Sequence, residues 1–225
     1  MWILAVDTAG PVVGVAVKVG ERTLVREDRL GRGTEKVLVP WIDALMNEAG
    51  VSSSEPVGIG LTNGPGAFTS LRVGMATALG LATAWKAPVW LGCSLLTRAK
   101  MVHPGRPVVS ALDARKGRLY AARYGADGRE IMAPADLPPD VVAGWVESGD
   151  VMTGEGIAVY QDVFARTAGA MAQDATTSGV AALAELAAWG LANGEGKNPA
   201  EVLPRYIRPP DAVPPKRRSL IPPRV

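Results

Sequence analysis

The sequence has only one cysteine and one histidine, Cys93 and His103, among its 225 residues. A single cysteine cannot form a disulfide within the chain, so nothing here requires an oxidising compartment. A single histidine cannot supply the pair of imidazoles that a zinc or iron enzyme of this general shape would need. The spacing of the two residues does not favour a cysteine–histidine catalytic pair, and we expect Cys93 to pack as a small apolar side chain.

Aromatic residues, long apolar runs and common catalytic signatures are also scarce. Aromatics make up 5% of the chain, so its core must consist of aliphatic residues, which suits α/β layers. No run approaches the roughly 18 uncharged apolar residues of a membrane span, and no basic segment precedes the apolar residues 1–6 as it would in a signal peptide. Neither a Gly-x-Ser-x-Gly elbow nor the Gly-Lys-Ser/Thr ending of a P-loop occurs. We therefore expect a cytoplasmic protein.

Charge is nearly balanced at +2, but it is unevenly distributed. Residues 205–225 carry a local excess of +5, which leaves the preceding residues at −3. A basic tail on a mildly acidic body is typical of a segment that contacts RNA or another acidic partner, and equally of a solvated terminus. The sequence leaves both interpretations open.

Hydrophobic periodicity predicts two successive blocks of strands and helices. The first block has strands at 2–6, 11–19, 23–28, 57–62 and 88–91, with helices at 34–49 and 69–85. The second has strands at 107–112, 118–124 and 129–132, with helices at 141–147, 160–165 and 179–192. This order predicts an α/β protein of two related lobes, with mixed sheets flanked by helices. We predict a first lobe at 1–102, a second at 103–198 and a Pro-rich, basic, extended tail at 199–225.

The strongest local signal is the Gly64-Pro65-Gly66 turn, which leads directly into a helix. Such a turn exposes backbone amides that can hold a phosphate or a carboxylate, although its glycines equally suit a structural turn. Asp7 and Thr8 end the first strand, where sugar kinases and their relatives place a phosphate-facing hairpin, although Asp-Thr is also common turn chemistry. Asp7, Thr8, Gly64 and Gly66 are therefore candidate nucleotide-binding residues, with a structural role as the alternative.

The two helices of the first block are apolar over a wider surface than one core contact needs. Helix 34–49 carries one stripe that includes Leu38 and Leu45 and a neighbouring stripe with Val37 and Trp41. Such faces suit docking between chains, and they suit burial under the second lobe or the tail. Both interpretations stay open.

Five motifs, taken in order along the chain, resemble those of the TsaB family, which is also called YeaZ. They are Ile3-Leu4-Ala5-Val6-Asp7-Thr8, Glu35-x-x-Leu38-x-Pro40, Gly64-Pro65-Gly66-x-Phe68-Thr69-x-Leu71-Arg72-x-Gly74, Asp113-Ala114-Arg115-x-Gly117-x-x-Tyr120 and Pro204-x-Tyr206-x-Arg208. The chain departs from the family at Gly33-Thr34, where members usually have His-Ser, and at Ser70, where they often have Gly.

The resemblance implies two RNase H-like lobes of the actin, Hsp70 and sugar-kinase superfamily. Family members bind the catalytic paralogue TsaD, and the ATPase TsaE joins them. The complex transfers threonylcarbamoyl to the adenosine beside the anticodon of tRNAs that read codons beginning with A. TsaD carries a paired-histidine metal site, and the single histidine here is consistent with its absence. The resemblance thus implies a non-catalytic scaffold subunit with no catalytic residues, metal or cofactor of its own, and the label of glycoprotease-like peptidase is chemically unsupported.

Members pair through the two first-lobe helices, either with TsaD or as a homodimer. The partner-binding residues that the resemblance implies are Thr34, Val37, Leu38, Trp41, Leu45, Thr69, Leu71, Arg72, Met75 and Leu79. We expect tRNA to be reached through the complex, with the basic tail as an additional contact.

The alternative hypothesis is an ATP-dependent phosphotransferase in which Asp7 and the Gly64–Gly66 loop bind nucleotide. A phosphotransferase of this fold needs nucleotide loops in both lobes. The second lobe offers only the weak Gly154-Glu155-Gly156, which argues against this alternative.

Overall fold

Two five-stranded mixed sheets form the frame of the protein in the computed structural model, which describes residues 1–55, 57–102, 105–167, 171–172 and 177–208. The strands of the first sheet are β1 (Trp2–Asp7), β2 (Val12–Val19), β3 (Arg22–Arg29), β4 (Val57–Gly64) and β5 (Val89–Cys93). Those of the second are β6 (Val108–Arg115), β7 (Arg118–Tyr124), β8 (Glu130–Leu137), β9 (Val151–Thr153) and β10 (Met171–Ala172).

The two sheets have the same strand order. The order is β3-β2-β1-β4-β5 in the first sheet and, read from the other edge, β8-β7-β6-β9-β10 in the second. If the strands of each lobe are numbered from its own first strand, both orders are 3-2-1-4-5. In both sheets the first three strands form an antiparallel meander, and the last two join in parallel. The prediction of two related RNase H-like lobes is therefore confirmed.

Seven α-helices and one short 3₁₀ helix lie within the described residues. They are α1 (Thr34–Ala49), α2 (Phe68–Trp85), α3 (Ser94–Val102), α4 (Pro139–Ala143), α5 (Glu155–Val159), α6 (Gln161–Phe164), α7 (Val180–Ala192) and the 3₁₀ turn Pro199–Glu201. No helix in this part of the chain is long and apolar enough to cross a bilayer.

Alternating side chains of the first sheet belong to two different cores. Leu4 and Val6 of β1 pack with the buried leucines of α1 and α2 on one face, whereas Ala5 between them belongs to a smaller core with α7 on the other. The second face is lined by small residues because α7 lies very close to it. A Cβ atom on Gly60 would lie 2.7 Å from that of Ala187.

Helices α3 and α7 each pack on the sheet of the opposite lobe. Helix α7 was predicted in the second lobe, but its buried face contacts β1, β2, β4 and β5 of the first sheet. Helix α3, from the first-lobe segment, places Leu95 and Ala99 in a core with Val108 and Leu112 of β6. The assignment of α7 to the second lobe is therefore wrong, because the small residues of the first sheet provide the surface that it covers. The predicted three-part division of the chain otherwise stays a prediction.

Truncation of Leu183 tests the contribution of α7 to the first sheet. Leu183 is fully buried, and a Cβ atom on Gly92 would lie 2.7 Å from its Cδ1 atom, so the side chain packs directly on the first sheet. We expect Leu183→Ala to lower the free energy of unfolding by about 2–5 kcal/mol in urea denaturation. Trp189→Ala on the same helix is the control, since Trp189 is 62% exposed and should change stability by about 0.5 kcal/mol or less. Equal effects of the two substitutions would contradict this packing.

Candidate functional site

A cleft of about 1190 Å³ separates the two lobes. Its first-lobe wall is formed by the loop after β1, the end of β3 and the loop that begins α2. The opposite wall is formed by the β6–β7 hairpin and by α5, and residues 205–208 complete the lining. The candidate nucleotide-binding residues of the first lobe lie at or beneath this cleft.

Asp7 is fully buried, and both of its carboxylate oxygens have partners within the chain. Oδ2 lies 3.0 Å from Nη1 of Arg98, while Oδ1 accepts hydrogen bonds from the backbone N of Ala9 at 2.9 Å and from Oγ1 of Thr62 at 3.0 Å. Burial raises the pKa of Asp7, and the charge of Arg98 opposes that shift. The carboxylate therefore stabilises the contact between α3 and the end of β1.

Glu155 of α5 approaches the same guanidinium from the second lobe. A Cβ atom on Gly10 would lie 2.8 Å from Nη2 of Arg98 and 3.5 Å from the nearer carboxylate oxygen of Glu155, so both groups adjoin Gly10. Burial raises the pKa of Glu155, and Arg98 again opposes the shift. One guanidinium thus faces carboxylates from both lobes beneath the cleft.

Thr8, Gly64 and Gly66 have structural partners that explain their presence. The hydroxyl of Thr8 donates to the carbonyl of Ser70 at 2.8 Å. Gly64 has a φ of +117°, and a Cβ atom there would lie 2.6 Å from the carbonyl oxygen of Arg205. A Cβ atom on Gly66 would lie 2.4 Å from the carbonyl oxygen of Ala9. The geometry favours the structural alternative for these residues and for Asp7.

No group of three or more metal-binding side chains lies together within the described residues. His103 falls outside them. Cys93 is partly buried beside the core that contains Leu95, and its Sγ atom lies 3.7 Å from the hydroxyl of Tyr124. The expectation that Cys93 packs among apolar residues is therefore confirmed.

Residues 202–208, which we call the strap, cross from the first lobe to the second. The backbone N of Arg205 donates to the carbonyl of Asn63 at 2.7 Å. Nε of Arg72 donates to the hydroxyl of Tyr206 at 2.8 Å. At the far end, Nε and Nη2 of Arg208 donate to the two carboxylate oxygens of Asp136 on β8, at 2.6 and 3.0 Å. The last of the five sequence motifs therefore connects both lobes. Of the predicted tail at 199–225, residues 209–225 lie outside the described part.

Asp136 anchors the second-lobe end of the strap. Its Oδ1 atom also accepts from Nε of Arg118 at 2.6 Å. Burial raises the pKa of Asp136, but the hydrogen bonds from Arg208 and Arg118 outweigh it and hold the pKa below its ordinary value. The carboxylate is therefore ionised near neutral pH and keeps both guanidinium groups in place.

Half of the predicted partner-binding residues belong to the interior of the chain. Thr34, Leu38, Leu45, Leu71 and Met75 are all buried, at 6% exposure or less. The four apolar ones pack in the core of the first sheet, so these side chains are not available to a partner in this conformation. Val37, Trp41 and Leu79 are half-buried, and Thr69 and Arg72 are exposed, so these five remain candidates.

The exposed side of α2 carries small residues that the prediction omitted. Ala76, Gly80 and Thr83 are exposed and lie on the helix face opposite to the buried Ala78 and Ala82. Among the described residues, none outside the immediate helix neighbourhood lies within 4 Å of a Cβ atom built on Gly80. The four-residue spacing of Ala76 and Gly80 was visible in the sequence and could have identified this face.

Removal of Arg98 tests the buried ion pair. Arg98→Met is expected to lower the free energy of unfolding by about 3–5 kcal/mol, because it leaves the Asp7 carboxylate buried without a counter-charge. The double variant Asp7→Asn/Arg98→Met should recover most of that loss, as measured by urea denaturation. Arg22→Met is the control, since the exposed pair with Glu48 at 3.8 Å should contribute less than about 1 kcal/mol. A double variant no more stable than Arg98→Met would refute this role.

Comparison with known proteins identifies relatives along most of the chain. A sequence profile of the family described as "TsaD: tRNA N6-adenosine threonylcarbamoyltransferase" matches residues 30–212. An uncharacterized protein of Mycobacterium tuberculosis is 30% identical over 215 residues, which cover 94% of each chain. A protein of Escherichia coli named "tRNA threonylcarbamoyladenosine biosynthesis protein TsaB" is 29% identical over 149 residues, covering 63% of this chain and 64% of its own.

Solved structures agree with these sequence relatives. The protein named YeaZ from Pseudomonas aeruginosa is 30% identical with a TM-score of 0.75, over 91% of this chain and 99% of its own. A second P. aeruginosa structure, described as similar to peptidase YeaZ, is 29% identical with a TM-score of 0.79 and covers 92% of this chain and 99% of its own. The five motifs, the duplicated strand order and these similarities together show that the chain is a member of the TsaB family, also called YeaZ.

Proposed function

We propose that this protein is a non-catalytic subunit in tRNA threonylcarbamoyladenosine biosynthesis, which binds a TsaD subunit through the exposed faces of α1 and α2. Its family membership and the names of its bacterial relatives support the pathway. The observation that supports the surface is Gly80, which lies in the middle of an 18-residue helix. No contact within the described part of the chain requires a glycine at this position.

A mid-helix glycine costs about 1 kcal/mol relative to alanine, since it has more backbone freedom to lose on folding. Most buried glycines of this chain offset that cost by a close approach within the chain, as Gly74 does against Thr8. Gly80 has no such contact and is exposed. A second helix that lies across Ala76 and Gly80 would explain the glycine, because small residues let two helices come close together.

The half-buried Val37 and Trp41 of α1 supply apolar area for the same face. At the N-terminal end of α2, Thr69 and Arg72 are exposed and continue the surface toward the cleft. A partner helix would thus meet a small-residue groove with apolar side chains nearby. The catalytic paralogue TsaD is the partner that we propose, and a second copy of this chain is the competing occupant. Assembly with TsaE and a cytoplasmic location remain predictions.

The polar cluster beneath the cleft argues against the phosphotransferase alternative. A metal-linked phosphate needs a carboxylate that is free to face the nucleotide. Both oxygens of Asp7 are engaged within the chain, and Arg98 occupies the space between Asp7 and Glu155. We therefore assign the chemistry of the complex to another subunit.

Substitutions at Gly80 separate its role in binding from its role in folding. Gly80→Ala should raise the free energy of unfolding of the isolated chain by about 1 kcal/mol, because alanine loses less backbone entropy and its methyl group meets no neighbour. Gly80→Leu should fold as well as the original chain but bind TsaD at least about tenfold more weakly, since the larger side chain prevents close helix contact. Urea denaturation and calorimetric titration measure the two effects. Ala192→Leu, an exposed substitution on α7, should leave binding unchanged, and unaltered TsaD binding by Gly80→Leu would refute the surface.

Reconstitution tests the function itself. Threonylcarbamoyl transfer to unmodified tRNA is measured with TsaD and TsaE from the same organism, with this chain present or omitted. We expect transfer to depend on the chain, and we expect no ATP hydrolysis by the chain alone. Equal transfer without it, or nucleotide turnover by the pure protein, would reject the proposal.

A further inference from the structure

The mouth of the interlobe cleft carries an excess of positive charge. Five basic side chains line the cleft against two acidic ones, Asp113 and Glu155. The basic residues are Arg29, Arg115, Lys116, Arg205 and Arg208. They come from β3, the β6–β7 hairpin and the strap, so both lobes contribute to the charge.

Acidic side chains offset part of this charge, since Arg208 is paired with Asp136 on β8. Glu155 lies deep in the cleft beside Arg98, and Asp113 lies 3.3 Å from the guanidinium of Arg115. Arg29 and Arg205 are exposed and form no ion pair within the described part of the chain. These two cations therefore remain available to an anionic ligand.

Two aromatic rings line the same cleft as these cations. Phe68 is 42% exposed and Tyr206 is 38% exposed, and their ring centroids are 5.3 Å apart. The guanidinium of Arg72 lies 3.7 Å from the Phe68 centroid and bonds the Tyr206 hydroxyl, so both rings are held in place. Fixed, exposed rings next to cations are the arrangement on which unpaired nucleobases stack while their phosphates are neutralised.

We propose that the mouth of this cleft binds single-stranded RNA, with phosphates at Arg29 and Arg205 and an unpaired base against Phe68 and Tyr206. The inference rests on the proposed function, which makes an unpaired tRNA loop the available RNA. A free nucleotide fits the geometry less well, because a nucleoside polyphosphate would have to enter above the engaged carboxylates of Asp7 and Glu155. The available cations and rings lie instead at the mouth, on separate segments, as a chain of nucleotides requires.

The test measures binding of the isolated full-length chain to a fluorescein-labelled anticodon stem-loop RNA by fluorescence anisotropy. The variant Arg29→Glu/Arg205→Glu should bind about tenfold more weakly, and the slope of log K against log salt should become shallower by about 1.4, or 0.7 for each lost phosphate contact. The control Arg26→Glu/Arg129→Glu makes the same charge change at exposed residues outside the cleft lining and should stay within about twofold of the original chain. Both variants keep the basic residues beyond 208, so any contribution of the tail cancels.

Equal losses in the two double variants, or no saturable binding by the original chain up to about 100 μM, would overturn the proposal, because binding would then be non-specific or absent. Phe68→Ala should weaken binding of the stem-loop about tenfold but leave a duplex RNA of equal length unaffected, since a duplex has no unpaired base to stack. Two competitors distinguish RNA from a free nucleotide: millimolar ATP, and unlabelled single-stranded RNA at the same concentration of phosphate groups. Displacement of the labelled RNA by ATP alone would show that the cleft binds a free nucleotide instead.

This measurement requires no TsaD, so it can fail separately from the proposed function. Loss of RNA binding with intact, chain-dependent tRNA modification would refute the cleft as an RNA site alone. If the chain binds RNA but tRNA modification proceeds equally well without it, the proposed function alone would be refuted.

Discussion

The packing of α3 against α7 between the two sheets is the contact on which the rest of the structure depends. Each helix comes from one lobe in sequence and covers the sheet of the other, so the two sheets cannot separate without exposing both helices. Gly179 permits this packing, because a Cβ atom there would lie 3.2 Å or less from atoms of Thr97 and Arg98. Helix α3 in turn carries Arg98 to Asp7 and Glu155, and this ion cluster determines what the cleft can hold.

Local patterns predicted most helices and strands but few of their partners. The bounds of α1 were predicted correctly because its leucines repeat at helical spacing and Gly50 ends it in a left-handed conformation. Helix α3 was not predicted, because it follows Cys93 of β5 without a turn residue and has only a short apolar face. Helix α7 was predicted, but its position on the first sheet was not. In the sequence, Gly58 and Gly60 indicate only a less stable strand, and the structure shows that they make room for α7. The ion pair of Asp7 and Arg98 joins residues 91 positions apart, a separation at which no periodicity carries information.

The same limitation explains the predicted partner surface. Periodicity finds apolar stripes, and it cannot tell whether a stripe faces the chain's own sheet or another molecule. Leu38, Leu71 and Met75 were named as contact residues through the family resemblance, and they are buried because they are large and apolar. Gly80 contributes almost no hydrophobicity, yet no contact among the described residues requires a glycine there. The proposed surface therefore depends on a small residue of α2 rather than on its large apolar side chains.

The exchange of α3 and α7 also constrains the order in which the protein can fold during synthesis. All five strands of the first sheet lie within residues 2–93, but the helix that covers one face of that sheet begins only at Val180. While the ribosome makes the residues between, the small apolar face around Ala5 and Ala16 has no cover from its own helix. An apolar sheet face in a nascent chain is a target for chaperones and for misassembly with other chains. The second face of the first sheet is therefore covered only after α7 has been synthesised.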